Sequence, residues 1–363
     1  MDITAHESLT WKYILNQLIS GQDLGSRHVD WAMDEIMTGS TPEPILASFL
    51  TSLHMKGETS EELGALARGM LAKAETIDLD VHAVDIVGTG GDQQNTVNIS
   101  TMAALVIAGT GATVVKHGNR ASTSKSGSAD VLEALGIQLD MPIKSVAACA
   151  RQVGITFLFA MTFHPSMRFV GPTRKMLGIP TAFNYLGPMT NPARVSSSAI
   201  GVANPQMVEK MAWVFANRGD HALVFRGDDG LDELTIATTS QIWEASGGTL
   251  QKYVFNPEGY GIERSSLDNL RGGDAEYNAS VFRAVLAGEG ESAKDSLHAI
   301  RNAVLINAAA GLIAYRKNDG RSFEERYTEA LADARQSIDT GAAAQVLNAW
   351  VEFSHLVVET PSP

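Results

Sequence analysis

A change in the hydrophobic pattern near residue 84 restricts the fold of this chain more than any other sequence feature. Before this point the sequence predicts helices only, whereas short β-branched runs alternate with helix-like stretches after it. Such alternation is typical of a mostly parallel sheet flanked by helices. We therefore predict an α/β fold, with a small all-helical domain and a large domain that holds the sheet. The runs predicted to be strands are 84–87, 112–115, 155–160, 198–203, 222–226 and 234–239.

The helices predicted before residue 84 are amphipathic, and two of them carry start signals. Thr41 followed by Pro42 predicts an N-cap with proline at the first helical position. Thr59 and Glu62 have the spacing of a capping box, in which each residue bonds to the backbone of the other. The sequence therefore predicts a bundle of amphipathic helices at this end of the chain.

The length of 363 residues predicts two domains. We place the small helical domain at residues 1–76 and the large α/β domain at residues 77–363. The segment 162–194 interrupts the alternation with many Gly and Pro residues, which favours a crossing between domains over a regular helix pair. Part of this segment is therefore expected to contribute to the helical domain.

Two glycine-rich loops stand where phosphate-binding loops are found, each after a predicted strand and before a predicted helix. The first is Gly88-Thr89-Gly90-Gly91-Asp92, and the second, Lys116-His117-Gly118-Asn119-Arg120, begins about 28 residues later. Backbone N–H groups and the positive end of a helix bind anions at such positions, and glycine allows the backbone to approach closely. Two such loops predict a ligand with two phosphate groups.

Charge is distributed unevenly along the chain. The whole chain has a net charge of −13, yet residues 93–208 hold nine Lys and Arg but only three Asp and Glu, a net of +6. An acid-poor region in an acidic protein is typical of a site for an anion. A buried parallel sheet would also exclude acids. The sheet alone does not explain the cations that lie near glycines, which are Lys116, Arg120, Lys125 and Arg174.

Composition excludes several classes of protein. The single cysteine, Cys149, cannot form an internal disulfide, so we expect a reducing cytoplasm. We see no uninterrupted apolar run of membrane-spanning length and no signal peptide. The sequence pI near 5.1 opposes a nucleic-acid-binding role.

Adjacent acids follow the fifth predicted strand, in Gly227-Asp228-Asp229-Gly230-Leu231-Asp232-Glu233. Asp232 and Glu233 offer oxygen ligands of the kind that Mg²⁺ prefers, usually together with substrate phosphates. A solvated acidic turn is the alternative. The phosphate loops favour the metal interpretation, and Ser100 beside the first loop could add a hydroxyl ligand.

Other catalytic motifs are missing from the sequence. His117 could act as a general base or line the wall of a pocket, and the absence of a nearby acid in sequence favours the wall. We find no His and Cys cluster for zinc and no nucleophile motif. The first loop fits neither the dinucleotide fingerprint nor the Walker motif.

Taken together, these residues resemble the anthranilate phosphoribosyltransferase family, and the likeness runs from the N-terminal helices to about residue 350. Besides the two loops, the motifs that carry it are Asn98-Ile99-Ser100-Thr101, Ser126-Gly127-Ser128-Ala129-Asp130, Phe183-Asn184-Tyr185-Leu186-Gly187-Pro188 and Asp229-Gly230-Leu231-Asp232-Glu233.

The resemblance implies an enzyme of tryptophan biosynthesis that joins anthranilate to phosphoribosyl pyrophosphate with Mg²⁺ and releases pyrophosphate. It implies the two-domain fold of nucleoside phosphorylases and phosphoribosyltransferases, and a cytoplasmic homodimer formed through the helical domain. It implies anthranilate contacts at Gly88, Asn119 and Arg174, and metal ligands at Ser100, Asp232 and Glu233. The residues implied to bind phosphoribosyl pyrophosphate are Gly88, Gly91, Asp92, Thr96, Asn98, Ile99, Ser100, Thr101, Lys116, His117, Gly118, Asn119, Arg120, Ala121, Ser122, Thr123, Ser124 and Ser128.

Two residues depart from the family pattern. Gln93 stands where the family usually has glycine, so a side chain there can alter closure of the first loop. Met161 stands where the family commonly has proline, in a segment that lines the anthranilate channel of the family. Met161 can therefore change the shape and selectivity of that channel.

The implied reaction needs little acid–base help, because an aromatic amine is neutral at pH 7 and nucleophilic by itself. Positioning and electrostatic stabilisation then account for catalysis, and we expect no catalytic residue in the strict sense. A pyrimidine nucleoside phosphorylase is the nearest enzymatic alternative, but it would need a different lysine and serine phosphate motif. A nucleic-acid-binding relative of the same fold is the non-enzymatic alternative, which the acidic net charge opposes.

Overall fold

The computed structural model describes residues 9–121, 125–289, 295–316 and 318–359. The described residues form two compact units: a helical unit from Met1–Glu75 with Met161–Thr190, and an α/β unit from Thr76–Ala160 with Asn191–Pro363. The α-helices are α1 (Trp11–Ile19), α2 (Ser26–Met37), α3 (Glu43–Lys56), α4 (Ser60–Leu71), α5 (Ile99–Gly109), α6 (Ser128–Ala134), α7 (Ile143–Val153), α8 (Ala160–Phe163), α9 (Gly171–Leu177), α10 (Phe183–Leu186), α11 (Pro205–Arg218), α12 (Ala275–Leu286), α13 (Ser296–Tyr315), α14 (Phe323–Asp339) and α15 (Ala342–Glu359). The strands are β1 (Val84–Gly88), β2 (Val114–Gly118), β3 (Ile155–Phe159), β4 (Ser197–Gly201), β5 (His221–Gly227), β6 (Ser240–Ser246) and β7 (Thr249–Phe255).

The α/β unit is built around one seven-stranded sheet of order β3-β2-β1-β4-β5-β6-β7. The first five strands in this order are parallel, and β6 and β7 are antiparallel to their neighbours. Helix α5 packs against α13 and α15, and these helices bury apolar surface against the sheet. The predicted fold class, a mostly parallel sheet flanked by helices with a separate helical part, is confirmed.

The strand predicted at residues 234–239 is wrong. The first half of this segment is buried, but its backbone hydrogen bonds go to side chains and to isolated loop residues instead of to a neighbouring strand. Leu234 N–H donates to Asn307 Oδ1 at 2.9 Å, and Asn307 Nδ2 donates back to the Leu234 carbonyl at 3.0 Å. Thr235 N–H donates to Ser240 Oγ at 3.1 Å. Four of the six residues in this segment are Thr or Ile, which favour strands, so composition alone could not separate it from a strand.

The sheet instead continues into a hairpin that we did not predict from the sequence. Strands β6 and β7 pair along seven residues each and are joined by Gly247-Gly248. Both glycines have positive φ, 56° and 79°, which this tight turn requires and which other residues rarely adopt. A Gly-Gly pair between two short runs was the available signal.

The helical unit contains α1 to α4, and its start signals were predicted with mixed success. The Thr59–Glu62 capping box is confirmed: Glu62 N–H donates to Thr59 Oγ1 at 3.1 Å, and Thr59 N–H donates to Glu62 Oε2 at 2.9 Å. The predicted cap at Thr41 is wrong, because α3 begins at Glu43 with Pro42 as its N-cap. A second proline, Pro44, fits the first turn, where no N–H is needed, and this moves the start along the chain.

Helix α13 is the most apolar long helix among the described residues. An 18-residue window within it has a mean hydropathy of 1.4, enough for a membrane span by length and composition. However, 83% of that window is buried inside the α/β unit, where α13 packs against α5 and α14. It also buries the polar side chains of Asn302 and Asn307. Its composition is therefore that of a central core helix.

Cys149 lies on α7 and is fully buried, as expected for a packing residue. Its Sγ lies 3.2 Å from the carbonyl oxygen of Ile155 at the start of β3. Burial raises the pKa of the thiol to about 12. The side chain is therefore a neutral core group at neutral pH.

Candidate active site

The candidate site lies at the carboxyl ends of the central strands of the α/β unit. Strand β1 has β2 on one side and β4 on the other, so the strand order reverses direction there. The last residues of β1 and β4, Gly88 and Gly201, are paired in register. In open α/β sheets ligands bind in the crevice outside such a reversal point.

The first glycine loop is fastened to the turn after β4. Thr89 N–H donates to the Gly201 carbonyl at 2.9 Å, and Ala203 N–H donates to Thr89 Oγ1 at 3.2 Å. Gly90 N–H donates to Asp232 Oδ2 at 2.7 Å. One of the backbone groups that we expected to face a phosphate therefore meets a carboxylate of the protein.

Glycine is needed at the ends of both strands because Asp232 lies directly against them. A methyl group at Gly88 would stand 3.0 Å from Asp232 Cγ and closer still to a carboxylate oxygen. A methyl group at Gly201 would overlap the backbone carbonyl of Asp232. Any larger residue at either position would displace the acidic segment from the first loop.

Glu233 reaches the N-terminus of α5, and its side chain is buried. Its Oε1 accepts the Ser100 N–H at 3.1 Å, in the first turn of that helix. The positive end of the helix dipole favours a negative charge at this position. Thus both acids contact the loop and helix that follow β1, although they lie more than 130 residues away in sequence.

The carboxylates of Asp92, Asp232 and Glu233 form a cluster in which they lie close enough to repel one another. Burial and the nearby Asp92 raise the pKa of Asp232 to about 7, and burial with the charge of Asp232 raises the pKa of Glu233 well above its usual value. Crowded acids of this kind are relieved by a cation.

Lys116 supplies a positive charge beneath this cluster. It is only 1% exposed, and its Nζ donates to the Ile86 carbonyl and lies 3.4 Å from Ser100 Oγ. Burial lowers the pKa of this ammonium, and the carboxylates of Asp85 and Glu233 oppose that shift. The Lys116 side chain is therefore part of the buried base of the site, and its ammonium group orients the Ser100 hydroxyl.

The donor set fits a hard cation such as Mg²⁺. Ser100, Asp232 and Glu233 offer only oxygen atoms, which Mg²⁺ prefers over nitrogen and sulfur. Within the described part of the chain, no group of three or more His, Cys, Asp or Glu residues is arranged to hold a metal. A cation at this position would therefore complete its shell with water and ligand oxygens.

The second glycine loop is closed by a local acid. Asp130 Oδ2 accepts the N–H groups of Ala121 and Gly127 at 3.0 and 2.8 Å. Arg120 donates to Asp130 Oδ1 at 3.1 Å and to Glu133 Oε1 at 2.8 Å. The predicted ligand cation Arg120 is thus already paired with two acids of α6.

The two loops are joined by side chains at the start of α5. Asn98 Nδ2 donates to the Ser126 carbonyl at 3.0 Å, and Thr101 Oγ1 lies 3.1 Å from Ser128 Oγ. The structure therefore brings the predicted residues of both loops to one edge of the sheet.

His117 is almost fully buried, which agrees with a wall position. Its backbone N–H donates to Asp85 Oδ1 at 3.1 Å, and Asn191 Nδ2 donates to Asp85 Oδ2 at 2.9 Å. Burial raises the pKa of Asp85 to about 6, against the opposing effect of Lys116. We did not predict Asp85 or Asn191 from the sequence, although an acid inside the apolar run of β1 was a visible signal.

The remaining predicted residues are placed as follows. Thr96 forms an isolated antiparallel bridge with Arg271, and Asn119 is exposed after β2. Arg174 lies on α9 in the helical unit, whereas Gly88 and Asn119 belong to the α/β unit. Ser122, Thr123 and Ser124 lie outside the described residues.

Comparison with known families defines the class of this protein. Residues 12–74 match the helical bundle domain of the glycosyl transferase family, and residues 80–344 match the a/b domain of that family. Together the two matches cover most of the chain, with the helical bundle domain before the a/b domain.

Relatives of this chain specify the class further. Anthranilate phosphoribosyltransferase from Arthrobacter sp. (strain FB24) is 53% identical over 345 residues, which cover 95% of this chain and 96% of the relative. The crystal structure of anthranilate phosphoribosyltransferase from Thermus thermophilus is similar with a TM-score of 0.86 at 37% identity, covering 94% of this chain and 99% of that one. The enzyme from Saccharomyces cerevisiae in complex with PRPP and Mg has a TM-score of 0.85 at 28% identity, covering 96% and 99%. This chain belongs to the anthranilate phosphoribosyltransferase family, as the resemblance of its loops predicted.

Proposed function

We propose that this protein transfers the phosphoribosyl group of phosphoribosyl pyrophosphate to the amine of anthranilate, the phosphoribosyl transfer of tryptophan biosynthesis. One structural observation supports this most strongly. Two acids held against the first glycine loop and the N-terminus of α5, at 2.7 and 3.1 Å, lie where the strand order reverses. Oxygen ligands next to two anion-binding loops suit a magnesium-bound pyrophosphate group.

In this proposal the α/β unit binds phosphoribosyl pyrophosphate through the two loops. Ser100, Asp232 and Glu233 would hold Mg²⁺, which would offset the negative charge of the leaving pyrophosphate. The solved yeast relative, with PRPP and Mg, is consistent with this ligand pair. We keep the proposed division into a helical domain at 1–76, with part of 162–194, and a phosphoribosyl pyrophosphate domain at 77–363.

The proposed chemistry is substitution at the anomeric carbon of the ribose without a dedicated general base. The residues of this chain bind and orient both reactants. The amine nitrogen forms a bond to the anomeric carbon as the bond from that carbon to pyrophosphate breaks, and the resulting ammonium then releases its proton to the departing pyrophosphate or to water, so His117 is not needed as a general base. Lys116 and the helix end of α5 place positive charge beside the developing anion. Electrostatic stabilisation and positioning then lower the barrier.

A direct assay tests this function. Loss of anthranilate fluorescence should require phosphoribosyl pyrophosphate and Mg²⁺ together, and pyrophosphate should be formed in equal amount. The absence of turnover with both substrates present would refute the proposal. Cleavage of a pyrimidine nucleoside by phosphate would favour the phosphorylase alternative instead.

We assign the anthranilate carboxylate to Arg174. Its guanidinium is partly buried and donates to Asn184 Oδ1 at 3.3 Å, and burial lowers its pKa. Within the described part of the chain it forms no ion pair with an acid. Such a guanidinium can bind a carboxylate through two parallel hydrogen bonds.

Arg174→Ala should raise the KM for anthranilate about 10- to 150-fold, the range expected for a lost charge-assisted contact of roughly 1.5–3 kcal/mol. The KM for phosphoribosyl pyrophosphate should hardly change. Lys175→Ala, at the exposed neighbouring position, is the matched control and should behave like the wild type. A rise in the phosphoribosyl pyrophosphate KM alone would make Arg174 a phosphate ligand instead.

We further propose a homodimer formed through the N-terminal helices. Met55 on α3 and Ile19 on α1 are the two most exposed large apolar side chains among the described residues, at 80% and 73%. A symmetric dimer would cover such surface. Sedimentation should give a dimer at micromolar concentration, and Ile19→Asp with Met55→Asp should weaken it. Leu356→Asp, at an exposed apolar position of the α/β unit, is the control, and a monomeric wild type would contradict the proposal.

We also propose that the enzyme works in the cytoplasm. Its only cysteine is a buried core residue that forms no disulfide, so the chain gains nothing from an oxidising compartment. Cell fractionation with an antibody against the chain should recover it with cytoplasmic enzymes, and recovery with the membrane pellet would contradict this.

A further inference from the structure

We propose that Asn278 on α12 is a positioning residue for the phosphoribosyl pyrophosphate site, acting through the side chain of Asn98. This inference rests on the proposed function for the identity of the ligand. Asn278 is only 1% exposed. In sequence it lies far from both glycine loops. We infer that it acts on the ligand through Asn98, which together with Thr101 joins the two loops.

The polarity of the hydrogen bonds through Asn278 is fixed at both ends. At one end the Gly273 N–H, which can only donate, bonds to Asn278 Oδ1 at 2.8 Å. Asn278 Nδ2 then donates to Asn98 Oδ1 at 2.9 Å. At the other end Asn98 Nδ2 donates to the Ser126 carbonyl, which can only accept, at 3.0 Å. Because both terminal groups belong to the backbone, only one orientation of each amide satisfies the chain.

This arrangement keeps Asn98 from its usual role at a helix start. Asn98 is the N-cap of α5, where an asparagine side chain commonly accepts an N–H of the first turn. Here its side chain makes no such bond, because Oδ1 is held by Asn278. The Ser100 N–H of that turn is bonded to Glu233 instead. The Ile99 and Thr101 N–H groups of the same turn donate to the backbone carbonyls of Val97 and Asn98. The Asn98 side chain therefore joins the two loops instead of capping its own helix.

Asn278 thus has two effects through one contact. It leaves the N-terminus of α5 uncapped by its own residue, and it fixes the second loop at Ser126 relative to the first. Both effects concern the surface that is proposed to bind the phosphate groups. Neither concerns Arg174, which lies in the helical unit.

Asn278→Ala tests this inference. Without its partner, Asn98 can rotate and cap α5, so the KM for phosphoribosyl pyrophosphate should rise about ten-fold, as for one lost buried hydrogen bond. The KM for anthranilate and kcat should change little. Asn278→Asp still accepts the Gly273 N–H but cannot donate to Asn98, so its effect should be at least as large. Asn302→Ala removes a buried asparagine of the neighbouring helix α13 and should leave both KM values unchanged.

A double-mutant cycle separates positioning from packing. In an Asn98→Ala background, Asn278→Ala should cause no further loss of phosphoribosyl pyrophosphate binding, measured by calorimetry on the folded protein. An equal further loss in that background, or a wild-type KM in both Asn278 variants, would overturn the inference. If Asn278→Ala does not fold, the same double-mutant cycle is measured with Asn278→Asp. A wild-type enzyme without anthranilate turnover would instead refute the proposed function, so the two failures are distinguishable.

Discussion

The two glycine loops follow equivalent strands but are stabilised in different ways. The first loop is held by acids from a distant part of the chain, since Gly90 and Ser100 donate to Asp232 and Glu233. The second loop is held by an acid of the helix that follows it, since Ala121 and Gly127 donate to Asp130. One loop therefore depends on the order of strands in the sheet, and the other depends mainly on local sequence.

This difference assigns different roles to the acids. Asp232 and Glu233 are crowded carboxylates with raised pKa values, so they are suited to bind a cation. Asp130 already has Arg120 and two N–H groups as partners, so its role is to shape the loop. Neutralising Asp232 and Glu233 should therefore affect catalysis more than stability. Neutralising Asp130 should affect stability more than catalysis.

The largest effect is expected from the acids of the first loop. Asp232→Asn with Glu233→Gln should lower kcat at least about 100-fold and raise the Mg²⁺ requirement, because the proposed metal ligands are neutralised. The fold should be retained, as measured by circular dichroism. Asp228→Asn, an exposed acid of the same turn, is the control. Wild-type turnover and Mg²⁺ dependence in the double variant would mean that these acids shape the first loop and do not bind the metal.

The next largest effect concerns the anchor of the acidic segment. Asn307→Ala leaves the buried backbone N–H and carbonyl of Leu234 without partners, which should lower the free energy of unfolding by about 2–4 kcal/mol. Denaturant titration measures this, with Asn302→Ala on the same helix as the control. An equal loss in both variants would mean that helix packing, and not the Leu234 contact, accounts for the effect.

For the second loop, Asp130→Asn should lower the free energy of unfolding by about 1–3 kcal/mol, while the Mg²⁺ dependence should stay as in the wild type. Burial raises the pKa of Asp130, but the N–H groups of Ala121 and Gly127 and the charge of Arg120 outweigh it and hold the pKa below 3.8. The stabilisation is therefore complete above that pH and is lost as pH falls through the lower folded value. The difference between variant and wild type, followed by denaturant titration, should shrink below about pH 4.

The smallest effect is expected at Gln93, which has φ of 60° in the first loop. Gln93→Gly should raise the free energy of unfolding by about 0.5 kcal/mol, because glycine removes the backbone strain but adds disorder to the unfolded chain. Thermal unfolding measures this. Asn95→Gly, at φ of 51° two residues later, tests whether the strain belongs to the whole loop. A lower melting temperature in Gln93→Gly would show that the glutamine side chain stabilises the loop.

Local signals were predicted well from sequence, and distant partners were not. The Thr59–Glu62 capping box and the strand before each glycine loop needed only neighbouring residues. The contact of Glu233 with Ser100 requires knowledge that β4 lies between β1 and β5 in the sheet, which spacing does not supply. The wrong strand at 234–239 has the same cause, since the backbone of Leu234 is bonded to Asn307, on a helix far along the chain.

The single buried thiol makes transient opening of the α/β unit measurable. Alkylating reagents attack only the thiolate, and Cys149 is both inaccessible and neutral while α7 stays packed beside β3. Its modification must therefore wait for an opening of this region, so the reaction rate reports the opening free energy when reclosing is fast. Alkylation rates of Cys149 with and without phosphoribosyl pyrophosphate should be compared. A slower rate with ligand would show that binding at the carboxyl ends of the strands suppresses opening around β3, the outermost parallel strand.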